Sequence, residues 1–287
     1  MMRLGEIYQN FLFRTMKDKV VIITGGSSGI GKALAEVFGQ EGAKIVITGR
    51  DTQALQQAQQ ALQQKGITVL AVQGDVSKET DTQRMAAETV KQFGKIDVLI
   101  NNAGISMRAL FNELDLSVIH KVMDINFFGA VNATKACLPH ILASKGSIVG
   151  ISSIAGYRGL PARTGYSASK FALQGFLEAL RTELLHTGVH ILTACPGFTA
   201  SAIRHKALSK DGSAQGESPR DEAEMMTAEE CARHIYKAVV KRKIILTLTT
   251  QGKLTVFLNK WFPRFMDKMV FNALAKEADS PLKKPNT

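Results

Sequence analysis

Val20-Val21-Ile22-Ile23-Thr24-Gly25-Gly26-Ser27-Ser28-Gly29-Ile30-Gly31 decides the reading of this chain. Four β-branched residues in a row suit a strand buried on both faces. The glycines that follow permit a tight turn and a close approach of backbone to a ligand. Ile30, Leu34, Val37 and Phe38 then keep helical spacing, so the turn opens a helix. At such a helix start, free N–H groups and the helix dipole face one point, which suits a dinucleotide pyrophosphate. A glycine-rich turn that holds nothing is the plainer reading of the motif taken alone.

The same unit repeats along the chain. Buried-strand runs recur at Lys44-Ile45-Val46-Ile47-Thr48 and at 69–72, 98–100, 147–151, 190–194 and 244–248. Helical spacing covers 52–65, 78–93, one long stretch over 116–143, and a helix opening near Tyr166. Strands alternating with helices predict an α/β fold whose parallel sheet is covered on both faces. Right-handed crossovers make that a doubly wound, Rossmann-type sheet. Residues 199–226 interrupt the rhythm, being long, polar and rich in Ser, Gly and Lys. Such a segment is either disordered or a lid over a substrate site.

The spacing Gly25-x3-Gly29-x-Gly31 departs from the commoner Gly-x-Gly-x-x-Gly. Further motifs follow in order: Gly74-Asp75-Val76, Asn101-Asn102-Ala103-Gly104, Tyr166-Ser167-Ala168-Ser169-Lys170 and Pro196-Gly197. Over roughly residues 17–200 the chain resembles the short-chain dehydrogenase/reductase family. The resemblance implies a nicotinamide dinucleotide whose pyrophosphate is held by Gly25, Ser27, Ser28, Gly29, Ile30 and Gly31. It also implies adenine beside Asp75 and Val76, and a cofactor pocket supported by Asn102, Ala103 and Gly104. Pro196 and Gly197 would wrap the nicotinamide carboxamide, with Thr199 or Ser201 supplying a hydroxyl. The family more often has an apolar residue where Thr199 stands, which favours Ser201.

The second strand ends Thr48-Gly49-Arg50. NAD enzymes place an acid there for the ribose 2′-hydroxyl. Gly49 removes that carboxylate, and the forked donors of Arg50 suit a 2′-phosphate, so the expected cofactor is NADP(H). Asp51 is the competing acid, but Asp51-Thr52-Gln53-Ala54 reads as a helix N-cap.

Tyr166 and Lys170 are four residues apart and share one face of a helix. Ser153 stands 13 residues before Tyr166, at the end of the fifth strand, and that spacing selects it over Ser152. Hydride addition to a ketone builds negative charge on oxygen, which then needs a proton. Free tyrosine has a pKa of about 10, too high to exchange that proton near neutrality. A nearby Lys170 ammonium favours tyrosinate and lowers that pKa, making Tyr166 an acid in one direction and a base in the other. Ser153 would steady the developing charge. With Asn126 these residues match the family's Asn–Ser–Tyr–Lys tetrad. The resemblance adds that Lys170 also holds the nicotinamide ribose and Asn126 a relay water.

The net charge of +11 is not spread evenly. From Lys237 onward eleven Lys/Arg face three Asp/Glu, a balance of +8. A nucleic-acid binder would be basic throughout, so nucleic acid is excluded as a partner. After the seventh strand, Leu254, Phe257, Leu258, Trp261, Phe262, Phe265, Met266, Met269 and Val270 form one apolar stripe beside Lys260, Arg264 and Lys268. Pro263 should kink or divide that helix. Leu4, Ile7, Tyr8, Phe11 and Leu12 repeat the spacing. Such stripes either lie on an anionic membrane surface or pack on the body or a second subunit. The organisation read from the chain is therefore an amphipathic extension (1–16), one catalytic domain (17–250) and a basic amphipathic C-terminal extension (251–287). Met16 would itself serve as a start, making 1–15 an extension.

Cys137, Cys195 and Cys231 are scattered, without metal or disulfide spacing. They point to a reducing, cytoplasmic setting. The six histidines show no metal pattern, so no metal is expected. The expected activity is reversible reduction of a carbonyl, on a lipophilic substrate, by a homodimer or homotetramer. A ketoacyl-thioester reductase and a non-catalytic NADP(H) sensor are the other readings.

Overall fold

A computed structural model describes residues 15–200, 203–216, 225–277 and 279–283. Ser201 and the N-terminal stripe lie outside the described residues. The described chain forms one seven-stranded parallel sheet from β1 (Val20–Thr24), β2 (Lys44–Gly49), β3 (Val69–Gln73), β4 (Val98–Asn101), β5 (Ser147–Ile151), β6 (His190–Cys195) and β7 (Ile245–Thr247). The order is β3-β2-β1-β4-β5-β6-β7. Each predicted strand run falls on one of these strands, the run at 244–248 being shortened to Ile245–Thr247.

Period-two alternation along β1 sorts its side chains between two cores. Val21 and Ile23 join a cluster with Leu34 and Phe38 of α1 (Gly29–Gln40), Leu55 and Leu62 of α2 (Thr52–Gln64), and Ile235 and Ala238 of α7 (Ala228–Val240). Val20 and Ile22 point the other way, to Met85 of α3 (Glu79–Phe93), Ala133 and Ile141 of α5 (Gly129–Ser144), and Leu173 and Leu177 of α6 (Thr164–Glu183). The sheet is covered on both faces, as its uninterrupted β-branched runs require.

The long helix expected over 116–143 is divided. α4 (Leu116–Met123) passes through a π-helical turn, Asp124–Phe128, before α5 begins. The turn carries Asn126, whose side chain reaches two other segments. Gly129 follows it because α5 begins against Val76, where a β-carbon would meet that side chain at 2.6 Å. Local widening of a helix is a frequent mark of a functional site.

Part of the segment read as a lid is firmly docked. Leu208 N–H donates to the Ser106 carbonyl at 2.9 Å, and Arg108 N–H to the Leu208 carbonyl at 2.8 Å. The Leu208 side chain is buried with Met107, Leu114, Val118 and Val122, and Tyr166 packs against that cluster. At the C-terminal end, Pro263 divides the predicted helix into α8 (Thr250–Trp261) and α9 (Pro263–Ala275). Met266 and Val270 are buried beside Leu274.

Candidate active site

β1 lies between β2 and β4, so a crevice opens at the carboxyl ends of β1 and β4. Thr24 ties the two strand ends together: its hydroxyl accepts from the N–H groups of Asn102 and Ala103, each at 3.0 Å. The Asn102 amide donates back to the carbonyls of Thr24 at 2.9 Å and Gly25 at 3.2 Å. Gly25 and Gly29 have φ of +66° and +51°, where a side chain would be strained. A β-carbon on Gly31 would overlap the Gly25 carbonyl and the Asn102 amide. The turn is thus packed tightly from behind.

A cleft of about 660 Å³ opens in front of it. Gly25, Ser27, Ser28, Gly29, Ile30 and Gly31 form one wall, with 48–51, 74–76 and 102–105 beyond them. Ile125, Ile203 and Lys206 also line it. Arg50 is exposed at this surface, and no carboxylate among the described residues pairs with it. Asp51 caps α2, accepting from Ala54 N–H at 3.0 Å. Asp75 and Val76 line the cleft, while Asp75 accepts from the Ser77 N–H at 3.0 Å and hydroxyl at 2.8 Å.

The tetrad converges at the Gly104 end. A β-carbon there would stand 3.2 Å from Asn126 Oδ1 and 3.5 Å from Lys170 Nζ. Asn126 Oδ1 accepts from Ile105 N–H at 2.8 Å, and its Nδ2 donates to the Ile105 carbonyl and Ser169 Oγ, both at 2.9 Å. The Lys170 ammonium donates to the Ile151 carbonyl at 2.9 Å and lies 5.6 Å from the Tyr166 ring centroid. Burial pulls Lys170 down to about 8. Ser153 is extended and caps the short turn Ile154–Gly156, with its hydroxyl in hydrogen-bonding range of Tyr166. Ser152 faces the other way: its hydroxyl accepts from Gln174 Nε2 at 2.9 Å.

Burial pushes the Tyr166 hydroxyl above the ordinary tyrosine value, and the Ser153 hydrogen bond and the charges of Arg163 and Arg204 oppose that rise. The Lys170 ammonium, turned to the Ile151 carbonyl, stands beside the same ring. At the loop after β6, a β-carbon on Gly197 would meet Thr249 Oγ1 at 2.5 Å. Thr199 is buried, and its hydroxyl donates to the Gly197 carbonyl at 3.3 Å.

The family model for short chain dehydrogenases matches residues 19–212, which span the glycine turn, the tetrad and the docked part of the lid. The chain belongs to the short-chain dehydrogenase family. Among its relatives, Dehydrogenase/reductase SDR family member 7B of Mus musculus is 36% identical over 271 residues, covering 92% of this chain and 84% of that one. Dehydrogenase/reductase SDR family protein 7-like of Drosophila melanogaster is 31% identical over 285 residues, 95% of this chain and 86% of that one. A crystal structure of a short chain dehydrogenase/reductase from Burkholderia phymatum, in complex with NAD, shares the fold. Its TM-score is 0.79 at 23% identity, over 96% of this chain and all of that one.

This short-chain dehydrogenase is an NAD(P)-dependent oxidoreductase. The residues fit the cofactor: a glycine turn closed behind and open in front, the start of α1 facing the opening, and a cleft running on to Gly104. Several contributors carry no sequence signal. Ile203 and Lys206 enter the cleft only because Leu208 docks the lid. Gln174, one turn beyond Lys170, holds Ser152 and donates to the Ser153 carbonyl at 3.4 Å. Ser169 holds Asn126. Their positions beside Tyr166 and Lys170 on α6 were the available hint.

Proposed function

We propose that this dehydrogenase moves a hydride between NADP(H) and a carbonyl or secondary alcohol of a lipophilic substrate. The meeting of Tyr166, Ser153 and Lys170 at the Gly104 end of the cleft carries the reading. When bound, the nicotinamide supplies or accepts the hydride. Tyr166 donates a proton to the substrate oxygen in reduction and takes it back in oxidation. The Ser153 hydroxyl hydrogen-bonds that same oxygen. Lys170, still protonated at neutral pH, holds the ribose and steadies tyrosinate as it forms. Asn126 braces the wall at Ile105, and Oδ1 keeps a lone pair for a relay water. On the lid side, the buried cluster of Met107 and Leu208 packs against Tyr166 and braces that side of the site.

NADP(H) is favoured by Arg50 at the cleft with no carboxylate at Gly49, and by Asp51 being engaged as a cap. Free, buried Cys137, Cys195 and Cys231 suit a reducing, cytoplasmic location. Phe128, just before α5, and Phe171, within α6, are exposed, and we assign the faces of these helices to pairing in a homodimer or homotetramer. The test is turnover of ketones, aldehydes and acyl thioesters of increasing chain length with NADPH and with NADH. We expect NADPH to be preferred and kcat/KM to rise with chain length. Preference for NADH overturns the cofactor assignment, and preference for thioesters redefines the substrate. No turnover with any of them leaves a sensor.

A further inference from the structure

α8 and α9 leave an apolar face that the body does not cover. Phe257, Trp261, Phe262 and Phe265 are 56 to 62% exposed. Leu254 and Met269 extend the same strip at either end. The helices are nevertheless well fastened on their other side. Met266, Val270 and Leu274 are buried against Leu160 and Leu258. Arg158 pairs with Asp267 and donates to Asn259 at 3.2 Å, while Asn259 donates to the Tyr157 carbonyl at 2.9 Å. One face of this helix pair is locked and the other is aromatic and open, an arrangement that large exposed apolar patches need a partner to explain.

The charges name the partner. Lys253, Lys260, Arg264 and Lys268 are exposed along the flank of the strip. Asp267, the acid within it, is drawn to Arg158. A second copy docking here by two-fold symmetry would set these basic rows against each other, a like-charge cost. An acidic lipid surface satisfies both parts at once. Rings lie at headgroup depth, and lysine and arginine reach the phosphates. No helix among the described residues is long and apolar enough to cross a membrane.

We propose that the α8–α9 face docks in the plane of an anionic lipid bilayer. Docking would bring the substrate side of the site to the lipid surface. Gly252 of α8 packs on Ile154, the residue after Ser153, and Leu160 lies under Met266. That consequence rests on the lipophilic-substrate reading; the docking itself does not.

Trp261 is the one tryptophan of the chain, so its emission reports the face directly. The full protein is mixed with vesicles of phosphatidylcholine alone or mixed with phosphatidylglycerol, at low and high salt. We expect sedimentation with the anionic vesicles, up to about a thousandfold preferred over neutral ones for four basic residues. Trp261 emission should shift to the blue, and salt should weaken both effects. Phe257→Ser with Phe265→Ser should abolish sedimentation while turnover of a water-soluble ketone persists. Lys260→Glu with Lys268→Glu should remove the preference for anionic lipid. A protein active on that ketone, yet left in the supernatant with every vesicle, overturns docking. So does Trp261 emission already blue-shifted without lipid in a species of doubled mass, which makes the face an interface between copies.

Discussion

The Glu277 carboxylate accepts a hydrogen bond from Arg163 at 3.0 Å and lies 3.6 Å from Arg108, with all three side chains nearly closed off from solvent. Arg163 immediately precedes α6 and its charge helps hold the Tyr166 hydroxyl down. Arg108 carries the backbone hydrogen bond that docks Leu208. The segment after α9 therefore fastens both walls of the active site. The groups facing Tyr166 are Ser153, Lys170, Cys195, Arg163 and Arg204, and Glu277 acts on them through Arg163. Glu277→Gln leaves the Arg163 charge less opposed, so tyrosinate forms at lower pH. The acid limb of alcohol oxidation, read as kcat/KM against pH, should move to lower pH, and Arg163→Gln should move it higher. Limbs that stay in place in both variants make the triad purely structural. Glu277→Ala also strands two buried guanidinium groups, a loss of about 3–5 kcal/mol in urea unfolding.

Lys170 is held at about 8, below an unfolded lysine at 10.5, because burial penalises its ammonium. Below pH 8 the folded state bears that full penalty. Between 8 and 10.5 the unfolded chain binds more protons, so stability rises with pH. Lys170→Met should therefore raise the melting temperature at pH 7 while turnover is lost. Its advantage should shrink as pH rises through that window. A lower melting temperature at pH 7 would show that the bond to Ile151 outweighs the desolvation.

Tyr166→Phe removes only the proton donor. Turnover should fall by about 10²- to 10⁴-fold, with NADPH binding by fluorescence unchanged. Ser153→Ala should lower turnover similarly. Ser152→Ala removes only the supporting bonds to Gln174 and to the Lys170 carbonyl and should cost far less. The reverse order would reassign the serine.

Arg50→Ala should weaken NADPH by about 10- to 150-fold, the value of one charge-assisted phosphate bond of about 1.5–3 kcal/mol. NADH binding should hardly change, since it lacks the 2′-phosphate. Titration calorimetry with both nucleotides decides; equal losses would make Arg50 a structural residue.

Much of the site was legible because its determinants are local. Gly25 and Gly29 need positive φ, and Tyr166 and Lys170 share a helix face by spacing alone. Asp51 read correctly as a cap because capping is a three-residue event. The C-terminal stripe left open whether it packs on the body or faces outward, because periodicity places residues on a face but does not say what covers it. Only packing against Leu160 shows that Met266 and Val270 turn inward while Phe257 and Trp261 stay out.

By itself the sequence determined the parallel sheet, the glycine turn and the order of the catalytic residues. Strand burial, turn geometry and helix spacing follow from backbone dihedrals and side-chain period within a few residues. Tertiary structure alone decided the π turn that aims Asn126, the lid contact that brings Lys206 to the cleft, and which charges set the proton affinity of Tyr166. Arg163 and Glu277 stand 114 residues apart. No local rule couples such a pair; burial does, by making an unpaired charge too costly to leave alone.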